Sequence, residues 1–119
     1  MGQLNSIDQY QQAALRTANM SAYKDALSAM TNAALGLCGE SGEVADIVKK
    51  ATFQGHDFES EKEHIIKELG DIAWYLALAA WAIDTPLSEV LILNIVKLEK
   101  RYPDGFDAER SMHRFAGDI

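Results

Sequence analysis

The 119-residue sequence predicts an all-α fold, a bundle of four principal helices, on three observations. Prolines occur only at Pro86 and Pro103, so long stretches can run as helix without a break. Apolar residues recur at three- and four-residue steps, the period of a helix with one buried face. The alternating apolar–polar pattern of a half-buried strand is missing from the sequence. A single domain over residues 1–119 is expected, with a core at about 20–106, a short N-terminal helix and a polar C-terminal tail.

The first helix is expected over residues 7–18. Ser21 then reads as the N-cap of a long second helix reaching about Thr52. On that helix Met30, Ala34, Leu37, Ser41, Val44, Val48 and Ala51 form an apolar or small stripe. Glu40 and Glu43 fall about 60° and 120° to one side of it, at the margin of the core. Gly36, Gly39 and Gly42 each cost about 1 kcal/mol relative to alanine in a helix. Such a cost predicts close approach by another backbone or a ligand. Residues 53–59, with Gly55, His56 and Asp57, read as a loop. Ser60-Glu61-Lys62-Glu63 is a capping box that opens the third helix. Its main stripe is Ile65, Leu69, Ile72, Leu76, Ala80 and Ile83.

From residue 72 to residue 83 the third helix is apolar on every side, too short a run to cross a bilayer. In a chain of this size it reads as a subunit contact with Trp74 or Trp81 near its centre. A homo-oligomer is therefore expected, as a dimer or a dimer of dimers. Thr85 can cap the fourth helix with Pro86 in its first position, and the helix runs to about Arg101. Residues 102–106 end it, and the tail has room for one helical turn.

Apolar residues make up 48% of the chain and charged ones 24%, the composition of a soluble globular protein. The net charge of −7 argues against nucleic acid as a partner, which would call for a basic stripe. Cys38 is the only cysteine; its ordinary reading is a small buried thiol in a reducing compartment. No basic-then-apolar secretory pattern opens the sequence, so a cytoplasmic location and no membrane association are expected. Residues 1–6 fit a myristoylation template, a short match that arises often by chance.

Two acidic pairs carry the chemistry: Glu40-Ser41-Gly42-Glu43 and Glu68-Leu69-Gly70-Asp71. A separation of three places both acids of a pair on one helical face, about 60° apart. A solvated charged face is the usual origin of one such pair. Two pairs, each beside a glycine and each at a core margin, argue for convergence across a groove. Four converging carboxylates repel one another unless a hard cation joins them, and oxygen donors of this kind suit Mg²⁺ or Mn²⁺. Mg²⁺ in proteins commonly serves phosphates. On the fourth helix Leu87, Leu91, Asn94, Leu98 and Arg101 share a stripe, with Lys97 close beside it. Cations in a last turn suit the helix dipole and can snorkel. Beside four acids and a cation, a phosphate clamp accounts better for Lys97 and Arg101. Tyr75 lies one turn beyond Asp71 and His64 one turn before Glu68. Core packing and solvation are their plainer readings. A carboxylate-bridged di-iron centre needs Glu-x-x-His on two helices, and Glu61-x-x-His64 occurs once.

The run from Gly36 to Lys50 with Glu40-x-x-Glu43, followed after twenty-four residues by Glu68-x-x-Asp71, resembles the MazG-like branch of the all-α nucleoside triphosphate pyrophosphohydrolases. That superfamily also includes dimeric dUTPases, dCTP pyrophosphatases and phosphoribosyl-ATP pyrophosphohydrolase. Lys97-Leu98-Glu99-Lys100-Arg101-Tyr102-Pro103 resembles its downstream Lys-x-x-x-Arg element, which precedes a proline. The likeness covers about residues 30–106. It implies Mg²⁺-dependent cleavage of the α–β phosphoanhydride of (d)NTPs to a monophosphate and pyrophosphate. It implies Glu40, Glu43, Glu68 and Asp71 as metal ligands and catalytic acids; one acid can serve as general base in place of ligand, and Glu43 is chosen for it although the sequence does not separate the two roles. Lys97 and Arg101 would contact phosphates, with Asn94 assisting. Lys50 matches a basic position after the first acid motif, and Tyr75 an aromatic near the substrate. The residues that read the base, His56 among them, are not assigned by it. A non-catalytic helical oligomerisation module, or a related dUTPase or dCTPase, is the alternative.

Overall fold

A computed structural model describes Leu4 and residues 6–119. The myristoylation template at residues 1–6 therefore lies outside the described residues, save for Leu4 and Ser6. The helices are α1 (Ile7–Leu15), α2 (Ala26–Phe53), α3 (Phe58–Ala82), α4 (Leu87–Arg101) and the short α5 (Ala108–Met112), with a 3₁₀ turn at Met20–Ala22. The described residues contain no strand. The all-α expectation with four main helices holds. The chain divides into two compact units, Met1–Leu87 and Ser88–Ile119.

In the first unit α2 and α3 pack along each other, and α1 packs on α3. Glu40 lies beside Glu68 and Asp71, while Gly36, one turn earlier, lies beside Tyr75. The pairing runs in opposite senses, so α2 and α3 form an antiparallel hairpin. The core is rich in alanine: Ala14, Ala77 and Ala80 cluster with Leu87, with Tyr10 and Trp74 packed against them. Ala29, Ala33, Ile47 and Leu78 are also buried. Small side chains let helices approach closely, and they leave larger neighbours outside.

Several local expectations shift, each for a visible reason. α1 stops at Leu15, because the Thr17 hydroxyl and amide both donate to Ala14 O, at 2.7 and 3.0 Å, and close a tighter turn. α2 starts five residues after Ser21. Ser21 sits in the 3₁₀ turn and donates its hydroxyl to Asn19 Oδ1. The cap is Asp25, whose carboxylate accepts from Ser28 N at 2.7 Å, while Ser28 Oγ accepts from Asp25 N. α3 is capped by Asp57, accepting from Ser60 N at 3.2 Å, and not by Ser60 itself. At α2 Asp25 and Ser28 complete a reciprocal capping box, while at α3 Asp57 caps without the return bond, the Ser60 hydroxyl donating to Asp57 O. α4 begins at Leu87, past Pro86. The Thr85 hydroxyl turns back to Ile83 O, and the Leu87 amide donates to Gln11 Oε1 at 2.9 Å.

The buried line of α2 runs through Ala29, Ala33 and Ile47, roughly 80° around the helix from the expected stripe. Ala34, Ser41 and Val48, assigned to the core from the sequence, are exposed. On α3 the covered positions are Ala77, Leu78, Ala80 and Ala82, whereas Leu69, Leu76 and Ile83 are exposed. The buried thiol expected at Cys38 is also corrected: Cys38 is exposed. Among the described residues no single helix is long and apolar enough to cross a membrane.

The second unit holds most of α4, then α5 and the segment that follows. Tyr102 ends α4 as expected, and Gly105 takes the left-handed conformation, φ 94°, that turns the chain. Asp107 caps α5 by accepting from Glu109 N and Arg110 N.

Candidate functional site

The rotation of α2 decides which acids meet. Glu40 lies near the buried line and is half-covered, while Glu43 lies to its outer side and is exposed. Carboxylate oxygens of Glu40, Glu68 and Asp71 come within 4.8 Å of one another across the α2–α3 hairpin. Three of the four expected acids thus converge. Glu43 contributes charge from outside the cluster, acting on both Glu40 and Lys50.

Glu40 and Glu68 are half-buried, and Asp71 is exposed. Glu40 is held above the usual carboxylate range, first by a hydrogen bond with Glu68, then by burial, then by the negative charges of Asp71, Glu68 and Glu43. A neighbouring carboxyl and crowded like charges raise an acid in this way where positive charge is short. Hard oxygen donors at this mutual distance fit a divalent cation such as Mg²⁺ or Mn²⁺, which would neutralise the excess.

Glu40 and Asp71 also border a cleft of about 410 Å³ lined by Thr17, Trp74 and Tyr75. Trp74 is fixed on one edge: its Nε1–H donates to Thr17 Oγ1 at 2.8 Å and to Ala14 O at 3.1 Å. Tyr75 stands edge-on to it, ring centres 5.0 Å apart. Tyr75 in turn fits only because residue 36 is glycine. A Cβ there would lie 2.2 Å from Tyr75 Cε1. The close approach expected at the α2 glycines is real at Gly36, and an aromatic ring makes it. Gly39 and Gly42 have nothing within 4 Å of a built Cβ.

The sequence places His64 one turn before Glu68 but gives it no partner, and it leaves Thr17 and Tyr10 unread. His64 bridges two acids, Nδ1 to Glu61 Oε2 at 3.3 Å and Nε2 to Glu68 Oε1 at 3.1 Å, and so orients Glu68. The spacing 61-64-68 on one face was the available signal. Thr17 could not be found from the sequence, because its role depends on the turn after α1 reaching Trp74, 57 residues away. Tyr10 feels Asp71: its phenol is pushed up, by burial first and by the Asp71 charge second.

The basic candidates have partners of their own. Lys50 pairs with Asp46 at 2.7 Å and Lys49 with the same residue at 3.1 Å, which holds Asp46 below the carboxylate range. In the second unit Asn94 is exposed and Lys97 is half-buried on α4. Arg101 is buried and forms a two-pronged pair with Asp118, Nε to Oδ2 at 2.7 Å and Nη2 to Oδ1 at 2.5 Å.

The model of the MazG nucleotide pyrophosphohydrolase domain matches residues 29–106, two thirds of the chain, and that span contains both acid pairs and the Lys97–Arg101 element. The chain belongs to the MazG nucleotide pyrophosphohydrolase family. The MazG span begins at the first buried alanine of α2 and ends with the turn after α4. Among curated proteins it is similar to the Gene 37 protein of Mycobacterium phage L5, 35% identical over 83 residues, covering 68% of this chain and 73% of the relative. No solved structure matches it significantly.

Proposed function

We propose that this MazG-family protein hydrolyses the α–β phosphoanhydride of nucleoside triphosphates in the presence of Mg²⁺, releasing a nucleoside monophosphate and pyrophosphate. The observation that carries this reading is the Glu40–Glu68–Asp71 cluster at the edge of the cleft bounded by Trp74 and Tyr75. Glu40, Glu68 and Asp71 would hold the cation, with Mn²⁺ as a substitute. When bound, the cation supplies charge neutralisation and Lewis acidity toward phosphate oxygens. The remaining work falls to the chain. The substrate brings about four negative charges to a protein of net charge −7, so phosphate binding depends on local cations. Lys97 and Arg101 contact the phosphates, and Asn94 donates to a phosphate oxygen. Lys50 adds positive charge near the first acid pair.

Glu43 suits the role of general base. It lies one turn from Glu40, outside the three-acid cluster and open to water, so it can accept a proton while the other three hold the cation. Trp74 and Tyr75 offer flat apolar faces to the nucleoside, and Thr17 keeps Trp74 from rotating. His64 holds Glu68 in the rotamer the cluster needs. The exposed apolar surface of α3 and α4 supports a homo-oligomer.

Turnover and cation binding measured together test this reading. Glu68→Gln and Asp71→Asn should each abolish release of pyrophosphate from a panel of nucleoside triphosphates and remove the rise in melting temperature that Mg²⁺ or Mn²⁺ gives the wild type. Undiminished turnover in both variants would show that the acids are a solvated face.

A further inference from the structure

The basic side of the second unit already holds an anion. Arg101 presents Nε and Nη2 to the two oxygens of Asp118 in a fork, and the pair is withdrawn from water: the Arg101 side chain is 10% exposed and that of Asp118 0%. The Arg101 guanidinium above all, then the charges of Arg114 and Lys97, hold the Asp118 carboxyl below its usual range. A guanidinium fork receives two phosphate oxygens in the same way that it receives two carboxylate oxygens, and it cannot do both at once.

The rest of the segment is lightly attached. Phe115 is 50% exposed and Ile119 90% exposed, so little apolar surface ties them down. A cavity of about 250 Å³ remains between residues 115–119 and the α4 side chains Leu93, Val96, Lys97 and Lys100. Gly117, at φ 88°, supplies the bend that returns Asp118 to Arg101. The ion pair is thus the main tie, and a stronger anion can break it without opening a core. Burying a charged pair where an apolar contact would hold as well is costly for stability alone.

We propose that residues 115–119 form a strap in which Asp118 occupies the phosphate fork of Arg101, and that the pyrophosphoryl group of a ligand displaces it. The inference rests on the assignment of Arg101 to phosphate recognition. The strap sets the affinity of the fork, because binding-competent molecules are only those in which Asp118 has let go.

Calorimetric titration of the full chain with inorganic pyrophosphate, without nucleotide, tests the strap separately from the reaction. Asp118→Asn and deletion of residues 115–119 should each bind pyrophosphate about tenfold tighter than the wild type. Amide exchange of residues 115–119 in the wild type should speed up at saturating pyrophosphate. Adding Arg101→Gln to Asp118→Asn should remove the gain. With a nucleoside triphosphate as substrate, Asp118→Asn should lower KM and leave kcat in place. Equal or weaker pyrophosphate binding in the folded Asp118 variants overturns the strap and makes Asp118 a positioning residue for Arg101. Unfolding of both variants overturns it as well, by making the pair a structural tie. If the wild type binds pyrophosphate in this way and hydrolyses no nucleotide, the strap stands and the proposed reaction fails.

Discussion

Glu40 differs from its three acidic companions because α2 turns it toward α3, against Glu68 and Asp71. Its carboxyl holds a proton above the ordinary range, so the folded state binds more protons than the unfolded chain between the unperturbed value and the raised one. Stability must then fall as pH rises through that window. Thermal melts in chelator should show this loss, Glu40→Gln should remove it, and saturating Mg²⁺ should suppress it by keeping all three acids ionised. A pH profile of the chelated wild type matching that of Glu40→Gln would mean that the acids do not interact. Gln11 makes a second prediction at this scale. It is buried, donates Nε2 to Ala77 O at 3.1 Å and accepts from Leu87 N at 2.9 Å. Gln11→Ala leaves the Leu87 amide without its acceptor and should cost about 1–3 kcal/mol in urea denaturation, without altering cation binding. The sequence made the acids legible because their spacing is local. It left Gln11 and Thr17 unreadable because their partners lie 66 and 57 residues away.

The helices were legible as elements, from their period and from the scarcity of proline, and less so in their orientation. Large apolar residues suggest a core stripe, but in α2 the tight contacts are made by Ala29 and Ala33, while Leu27 and Leu35 stay exposed. Close packing of α2 on α3 selects Ala29 and Ala33, whereas Ala34, Ser41 and Val48 of the expected stripe, small or apolar as they are, stay exposed. The starts were misread in a consistent way, since Asp25 and Asp57 cap with serine in place of Glu at the third position. Gly36 tests the orientation. Gly36→Ala drives a methyl into Tyr75 and should destabilise by about 1–3 kcal/mol while distorting the cleft. Gly39→Ala, with open space around it, should stabilise by about 1 kcal/mol through helix propensity. Urea denaturation of the two variants reads both, and equal effects would contradict the placement of Tyr75.

Across the whole molecule, Leu78 is the one large side chain fully buried among the described residues, while Ile66, Leu69, Ile92, Leu93 and Ile95 all stand exposed. The proposed homo-oligomer would cover part of this apolar surface. Sedimentation equilibrium at low micromolar concentration should give a dimer or larger, and an active monomer would contradict the proposed assembly. The family was legible because its acid pairs and Lys97–Arg101 element are short motifs; the Asp118 pairing was not, because nothing in the sequence ties residue 118 to residue 101. The central claim concerns which bond breaks. Anion-exchange separation of the products formed from a nucleoside triphosphate and Mg²⁺, taken in the first turnovers, is the direct measurement. The account predicts monophosphate and pyrophosphate in equal amounts, with none formed in excess chelator; diphosphate with orthophosphate as first products, or full activity in chelator, would contradict it.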